Sequence, residues 1–568
     1  MDTKNVIAAI TLSAMVIIFY SLYFAPEPPE INNAKNVTES TSVEDSANDK
    51  SPSIESKKSD QNKISRKESL DLTKRIVIEN NNIIGSISLK GSVIDDIVFK
   101  NYNTQLESEE KVILLSPNDS QNGYFVETGW ASTDKNIELP NSSSIWEIKK
   151  NDKLLPGKPV ILQWTNNEGI IFQNKFELDN KYLIKLNQKI INNTNKVFDF
   201  YPYAQIVRNI KPDVTNFYIL HEGLLGVFDD QLHEEDYDDI AELSEKKDKF
   251  TKNATNGWLG ITDKYWITAI VPTQNKNFKS EFEYDKKYKA NFIITDPFES
   301  KPNQVISNDI KIFTAAKEVE VIDGYAETEN IKKFDLAIDW GWFYFFTKPL
   351  FFIIDYFFKL TGNFGVAIIL ITLCIRIVFY PLANYSFRSM AKMKILQPEM
   401  ARLKELHKDD KKKLQLEMMA LYKKEKVNPV SGCLPVLIQI PFFFAIYKML
   451  FVTIEMRHQP FFGWIKDLSE KDPTSIFNAF GLIPWDPPSF LIIGVWPILM
   501  GITMYVQQKL NPPPTDPIQK KIFSFFPLFL TIILAPFPSG LVVYWTINNV
   551  LTMAQQWIII KRTKVKTV

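Results

Sequence analysis

At 568 residues, with 66 basic and 66 acidic side chains and a formal net charge of zero, the chain has length for two or three domains and no global electrostatic pull toward nucleic acid. Its hydrophobic fraction of 45% is ordinary for a globular protein, but it averages a polar first half with a second half that contains long apolar runs. The 2 cysteines, Cys374 and Cys433, both lie in such runs, which excludes a disulfide framework and a zinc-binding spacing.

In chain order, residues 6–24 form an uncharged apolar stretch behind Lys4. At ~1.5 Å per residue the stretch covers a hydrocarbon core of ~30 Å. It has no small-x-small cleavage site before Pro26, so residues 1–25 are expected to be an uncleaved membrane anchor. Residues 26–70 are dominated by Ser, Asn, Lys, Asp and Glu, bury too little surface to offset the entropy of ordering, and predict a flexible linker. Residues 71–330 are short β-rich segments broken by Asn, Gly, Asp and Pro, with strands expected at 75–79, 83–89, 93–99, 160–164, 170–178 and 182–191. Period-two alternation in several of them predicts half-buried antiparallel strands in an all-β sandwich. His221 and His233 lie in this region beside Glu222, Glu234 and Glu235. Nothing in their spacing supports catalysis, and they read as loop or surface histidines.

Residues 335–361 are crowded with Phe, Trp and Tyr but carry Lys348, Pro349, Asp355 and Lys359, a pattern that suits a helix lying in the membrane interface. Apolar runs at about 362–382, 432–452, 489–510, 522–537 and 540–560 then predict five spans, six with the anchor. Between 383 and 428 twelve Lys and Arg face six acids, whereas 455–488 carries three bases against five acids, and the tail from Lys561 is basic. The excess of Lys and Arg on cytoplasmic loops therefore puts 383–428 and both termini inside and the β region outside. The expected fold is a polytopic α-helical membrane protein of six spans, with a large extracytoplasmic all-β sandwich and a cytoplasmic helical hairpin.

Arg376 lies within the run at 362–382, where a guanidinium costs roughly 2.5 to 3.5 kcal/mol even on a lenient insertion scale. In the last run Trp545, Asn548, Asn549, Thr552, Gln555 and Gln556 follow steps of three and four and predict one polar stripe. With Thr372 and Gln439 they predict a water-filled groove that opens to the cytoplasm. The run at 522–537 is short and holds Pro527 and Pro536, which favours a locally thinned bilayer. The loop predicts helices at 384–407 and 410–426, the second capped by Asp409 or Asp410. Met390, Met393, Met400, Met418 and Met419 give this hairpin flexible apolar positions, suited equally to its own packing and to varied partners. The chain has no phosphate loop, no zinc-protease His-Glu pair and no nucleophile elbow, so no cofactor, metal or catalytic centre is expected.

The segments Arg376-Ile377-Val378-Phe379-Tyr380-Pro381-Leu382, Ser389-Met390-Ala391-Lys392-Met393, Leu396-Gln397-Pro398, Glu417-Met418-Met419-Ala420-Leu421-Tyr422, Lys426-Val427-Asn428-Pro429 and Phe537-Pro538-Ser539-Gly540-Leu541 resemble the YidC insertases of bacterial inner membranes. That resemblance implies a periplasmic β-supersandwich and five core spans around a groove open to cytoplasm and lipid. It also implies an arginine at Arg376 and substrate-contacting aromatics at Tyr544 and Trp545. Nascent membrane proteins, the Sec translocon, the ribosome and the lipid bilayer follow as implied partners, with no specific nucleic-acid sequence. Two other classes fit parts of the chain: a solute channel or transporter with Arg376 as an anion site, and a membrane-tethered carbohydrate-binding protein acting through the β region.

Overall fold

The computed structural model describes residues 64–562 except 216–219, 342, 409, 426, 429–433, 486, 489–491 and 512–516. The expected anchor at 6–24, most of the expected linker, Asp409 and Cys433 lie outside the described residues. The last residues of the expected linker are ordered: helix α1, Arg66–Asp71, is closed by a capping box in which Ser65 and Glu68 bond each other's backbone N–H groups.

The period-two pattern of the β region becomes alternating burial, cleanest in Ile170–Leu178, where every second side chain is buried. The described strands form an eleven-stranded and a nine-stranded sheet, both largely antiparallel. In the smaller sheet Leu183–Asn192 lies between Ile170–Leu178 and Val305–Ala316, so Ile190 faces Phe172 and Ile306. In the larger sheet Phe198–Arg208 is flanked by Tyr124–Ser132 and Tyr288–Ile294. Rings from the two sheets interlock, with Phe172 against Phe200 at 6.0 Å and Phe99 stacked on Trp266 at 4.8 Å. Burying each such ring contributes roughly 2 to 3 kcal/mol. Gly257 has φ +146°, and a Cβ there would lie 1.9 Å from the Val227 carbonyl oxygen. Gly257→Ala is expected to cost about 3 kcal/mol or more, read as a lower urea midpoint for loss of β-region protease resistance.

Among the described residues ten further helices follow: α2 Tyr237–Glu245, α3 Val319–Thr328, α4 Tyr344–Thr361, α5 Phe364–Val378, α6 Tyr380–Leu406, α7 Lys411–Lys424, α8 Leu434–Val452, α9 Val495–Leu510, α10 Pro517–Leu534 and α11 Ser539–Arg562. The expected interfacial helix starts at Tyr344 instead of 335, because a short 3-10 turn and the left-handed Gly341 precede it. Gly362, left-handed at φ 68°, ends α4, and the Asn363 side chain caps α5 by accepting from Val366 N–H at 3.1 Å.

The apolar run expected at 362–382 is not one straight helix. It breaks at Phe379 ahead of Pro381, leaving α5 and α6 bent by 69°. Among the described residues no single helix is long and apolar enough to cross a membrane, whereas α5 and α6 meet that measure together. Gln439–Val452 of α8 is apolar but falls short of that length, and α11 carries the amide stripe. In the run expected from 489, residues 492–494 are extended or irregular and α9 starts at Val495, and the run expected from 522 is already helical at Pro517.

The β region is joined to the helices by charge as well as by apolar packing. Lys348 of α4 reaches Asp323 and Asp335, each at 2.9 Å, and Lys359 reaches Glu320 at 2.5 Å. After α8, the Glu455 carboxylate accepts from Val319 N–H at the start of α3 at 2.6 Å. Arg457 donates to the carbonyls of Asn103 and Thr104 at 2.8 and 3.0 Å. Each contact ties a residue of the second half to an acid, N–H or carbonyl of the β region or its last helices.

Candidate functional site

Arg376 sits on the last turn of α5 and points between α8 and α11. Its Nε donates to Asn548 Oδ1 at 3.1 Å, and its Nη2 donates to Gln439 Oε1 at 3.2 Å and also to Asn548 Oδ1. Thr372, Ile375, Phe379, Phe442, Tyr544 and Gln555 line the same cleft, which holds about 40 Å³ of water-sized space. That volume accommodates about three waters. Among the described residues the lining contains no carboxylate. The guanidinium is thus oriented by neutral amide oxygens, which satisfy its donors without cancelling its charge.

The expected polar stripe of α11 is divided between two neighbours. Asn548 and Gln555 line the cleft, together with Tyr544, which is 2% exposed. Asn549 instead donates through Nδ2 to Thr503 Oγ1 on α9 at 3.2 Å, and Gln556 reaches Asn511 at 3.3 Å. Thr552 bonds back to the Asn548 carbonyl at 2.6 Å within its own helix, and Thr372 bonds likewise to the Ile368 carbonyl. Trp545 packs edge-on against Phe443 with ring centroids 4.8 Å apart and is not part of the cleft lining. The amide oxygen of Gln555 is buried without a hydrogen-bond partner among the described residues, so the cleft wall retains an unused acceptor. The apolar wall of Ile375, Phe379 and Phe442 lies outside the polar positions that the sequence pattern picks out. Its signal was available in part: Phe379 stands one helical step of three from Arg376 and Phe442 the same step from Gln439.

The two hairpin helices form at α6 and α7, and Asp410 caps the second by accepting from Lys413 N–H at 3.0 Å. Their methionines take different roles. Met390 is buried with Ala383 and Phe387 against Ile559 of α11, and Met400 is buried beneath the Tyr422 hydroxyl. Met393 and Met418 are half-buried, and Met419 is 50% exposed.

The family model described as 60Kd inner membrane protein matches residues 356–566, and that described as YidC periplasmic domain matches residues 75–353. The membrane protein insertase YidC of Pelagibacter ubique (strain HTCC1062) is 59% identical over 567 residues, covering 100% of both chains. The membrane protein insertase YidC of Rickettsia bellii (strain OSU 85-389) is 44% identical over 569 residues, covering 99% of each. A crystal structure of an active YidC insertase with its first transmembrane domain resolved covers 85% of this chain and 92% of its own, at 16% identity and a TM-score of 0.36, too low to carry an argument about architecture. With the two models adjoining in chain order and relatives matched from end to end, this chain belongs to the YidC family of membrane protein insertases.

Proposed function

We propose that the cleft around Arg376 receives the polar flank of a nascent hydrophobic segment while the segment itself passes between α8 and α10 into lipid. As an insertase the protein changes where a polypeptide lies and makes or breaks no covalent bond. The observation that carries this reading is the Arg376 guanidinium, bound by Asn548 and Gln439 with no carboxylate among the described lining residues. An anionic or dipolar flank gains a partner there that bare lipid does not offer. Each Leu, Ile, Phe or Val favours insertion by about 0.3 to 0.6 kcal/mol, so some twenty of them supply roughly 6 to 12 kcal/mol without a nucleotide. The protein need only lower the barrier for the flank.

The topology that accompanies this mechanism has six spans and both termini in the cytoplasm. It places the α6–α7 hairpin inside and the β domain in the periplasm, in agreement with the lysine and arginine distribution of the loops. Helix α4 lies in the outer interface. Phe345, Phe352, Ile353, Tyr356 and Leu360 are exposed on it, while Lys348 and Lys359 turn to the acids of the β domain. The hairpin lysines favour anionic headgroups, the exposed Met419 suits contact with varied clients, and the Sec translocon and the ribosome are the proposed partners upstream.

Photocrosslinking tests the reading. A crosslinking amino acid at Tyr544, Thr372 or Phe442 is expected to form adducts with ribosome-stalled membrane-protein chains, and the same probe at the exposed Ile145 of the β domain is not. Equal yields from cleft and β-domain positions would reject the cleft as the receiving site.

A further inference from the structure

The loop between α8 and α9 has a rigid neck and an apolar tip. At the neck Asp472, 1% exposed, accepts from Trp464 Nε1 at 3.1 Å, from Thr474 N–H at 3.0 Å and from Trp496 N–H at 2.9 Å, the last in the first turn of α9. Val495 N–H donates to Thr474 Oγ1 at 3.0 Å, and Ile476 N–H donates to the Ile493 carbonyl at 3.2 Å. Gly494 gives Asp472 its room, since a Cβ at that position would lie 2.3 Å from the Asp472 carboxyl carbon. The two strands of the loop are therefore clasped side by side, and the direction of the tip is set relative to α9.

Beyond the neck, Ile476, Phe477, Phe480, Leu482, Ile483 and Trp485 are between 42% and 86% exposed. From Thr474 to Val495 the sequence contains a single charge, Asp486. Ala479 and Phe480 are left-handed, at φ 49° and 60°. An aromatic side chain rarely adopts that region, so the fold holds Phe480 outward against its local preference. Six large apolar side chains on a stiff, nearly uncharged projection form a surface that water does not favour.

Two features of the surroundings identify what covers it. The loop runs directly into α8 and α9, which themselves expose large apolar side chains: Leu437, Ile440 and Phe444 on one, Ile502 and Val506 on the other. Its base also adjoins the β domain, since Lys466 pairs with Glu107 at 2.5 Å, so the tip stands at the same end of the helices as the apolar face of α4. A loop with Trp at its edge, at the end of lipid-facing helices, has the composition of an interfacial anchor.

We propose that residues 476–485 insert into the headgroup–acyl boundary of the outer leaflet, as a membrane anchor that works beside α4. The assignment of leaflet rests on the topology proposed above; contact with lipid does not depend on the cleft mechanism.

The test uses the full chain with Cys374→Ser and Cys433→Ser, carrying Phe477→Cys or Leu482→Cys labelled with a bimane fluorophore. The protein is reconstituted, without client, in phosphatidylcholine and phosphatidylglycerol vesicles that contain a 5-doxyl phospholipid. Ser143→Cys, on an exposed β-domain loop, is the aqueous control. Both loop labels are expected to be quenched by the nitroxide lipid at least twofold more than the control, and by iodide at least threefold less. The proposal is overturned if iodide reaches either loop label as readily as it reaches the control. Shielding from both quenchers overturns it equally, since a protein surface would then cover the tip. Either failure leaves crosslinking at the cleft unaffected, so the two readings are separable.

Discussion

Vesicles carrying Arg376→Glu are expected to insert a client with an acidic flank at a tenth of the wild-type rate or less. A client with a neutral flank should lose much less. A unit charge about 5 Å from an anionic flank, at an effective dielectric near 20, is worth roughly 3 kcal/mol, and reversing its sign turns that attraction into repulsion. A tenfold change needs only about 1.4 kcal/mol, so the expectation is conservative. The substitution also sets a carboxylate against the Asn548 and Gln439 oxygens that now accept from the guanidinium. Arg376→Lys keeps the charge but replaces a planar fork with a point donor that cannot span both amides, and an intermediate rate is expected. Protease protection of reporters differing only in flank charge reads both effects. Equal insertion of acidic-flanked clients by the wild type and Arg376→Glu would refute an electrostatic role for the cleft.

The second large effect concerns the joint between the β domain and the helices. Burial pushes the Glu455 carboxyl up to about 7, with Glu318 and Asp355 adding to the rise and the Val319 N–H opposing it. Its Oε2 is buried without a hydrogen-bond partner among the described residues. In the unfolded chain a glutamate ionises near pH ~4.3. Between that value and about 7 the folded state holds the proton that the unfolded state releases, so stability falls as pH rises through this window and stays low above it. Glu455→Gln keeps an oxygen to accept from Val319 N–H and removes the buried charge. The variant is expected to come within about 0.3 kcal/mol of the wild type at pH 4 and to exceed it at pH 8.5 by at most about 3.7 kcal/mol. Thermal unfolding of the full chain at the two pH values, followed through the β domain, measures this. Coincident curves at both would show that the carboxyl is better solvated than its position indicates.

Much of the architecture was legible because it rests on local periodicity. The strands expected at 75–79, 83–89 and 170–178 lie at Arg75–Glu79, Ile83–Ser88 and Ile170–Leu178, since a two-residue alternation of apolar and polar side chains has one way to face a core. The second hairpin helix was legible for a similarly local reason, as Asp410 caps its first turn. The break at Phe379 was not read, although Pro381 signalled it, because the apolar run continued across the proline. The transporter and sugar-binding readings each fitted one half of the chain, and relatives matched over its whole length select the insertase.

Composition, periodicity and motifs settle that a β sandwich is followed by apolar helices, that one helix carries an arginine and another a row of amides, and which family such motifs resemble. Tertiary structure alone decided how those amides are shared. Asn548 and Gln555 face Arg376, while the adjacent Asn549 and Gln556 face α9, because residues one apart on a helix are turned by about 100° and sit between two neighbours. Likewise, only the docking of Glu455 beneath α3 made an ordinary loop carboxyl into one that keeps its proton near neutrality. Helical spacing fixes angles around one axis, and what lies at each angle depends on elements brought there from as far as 172 residues away.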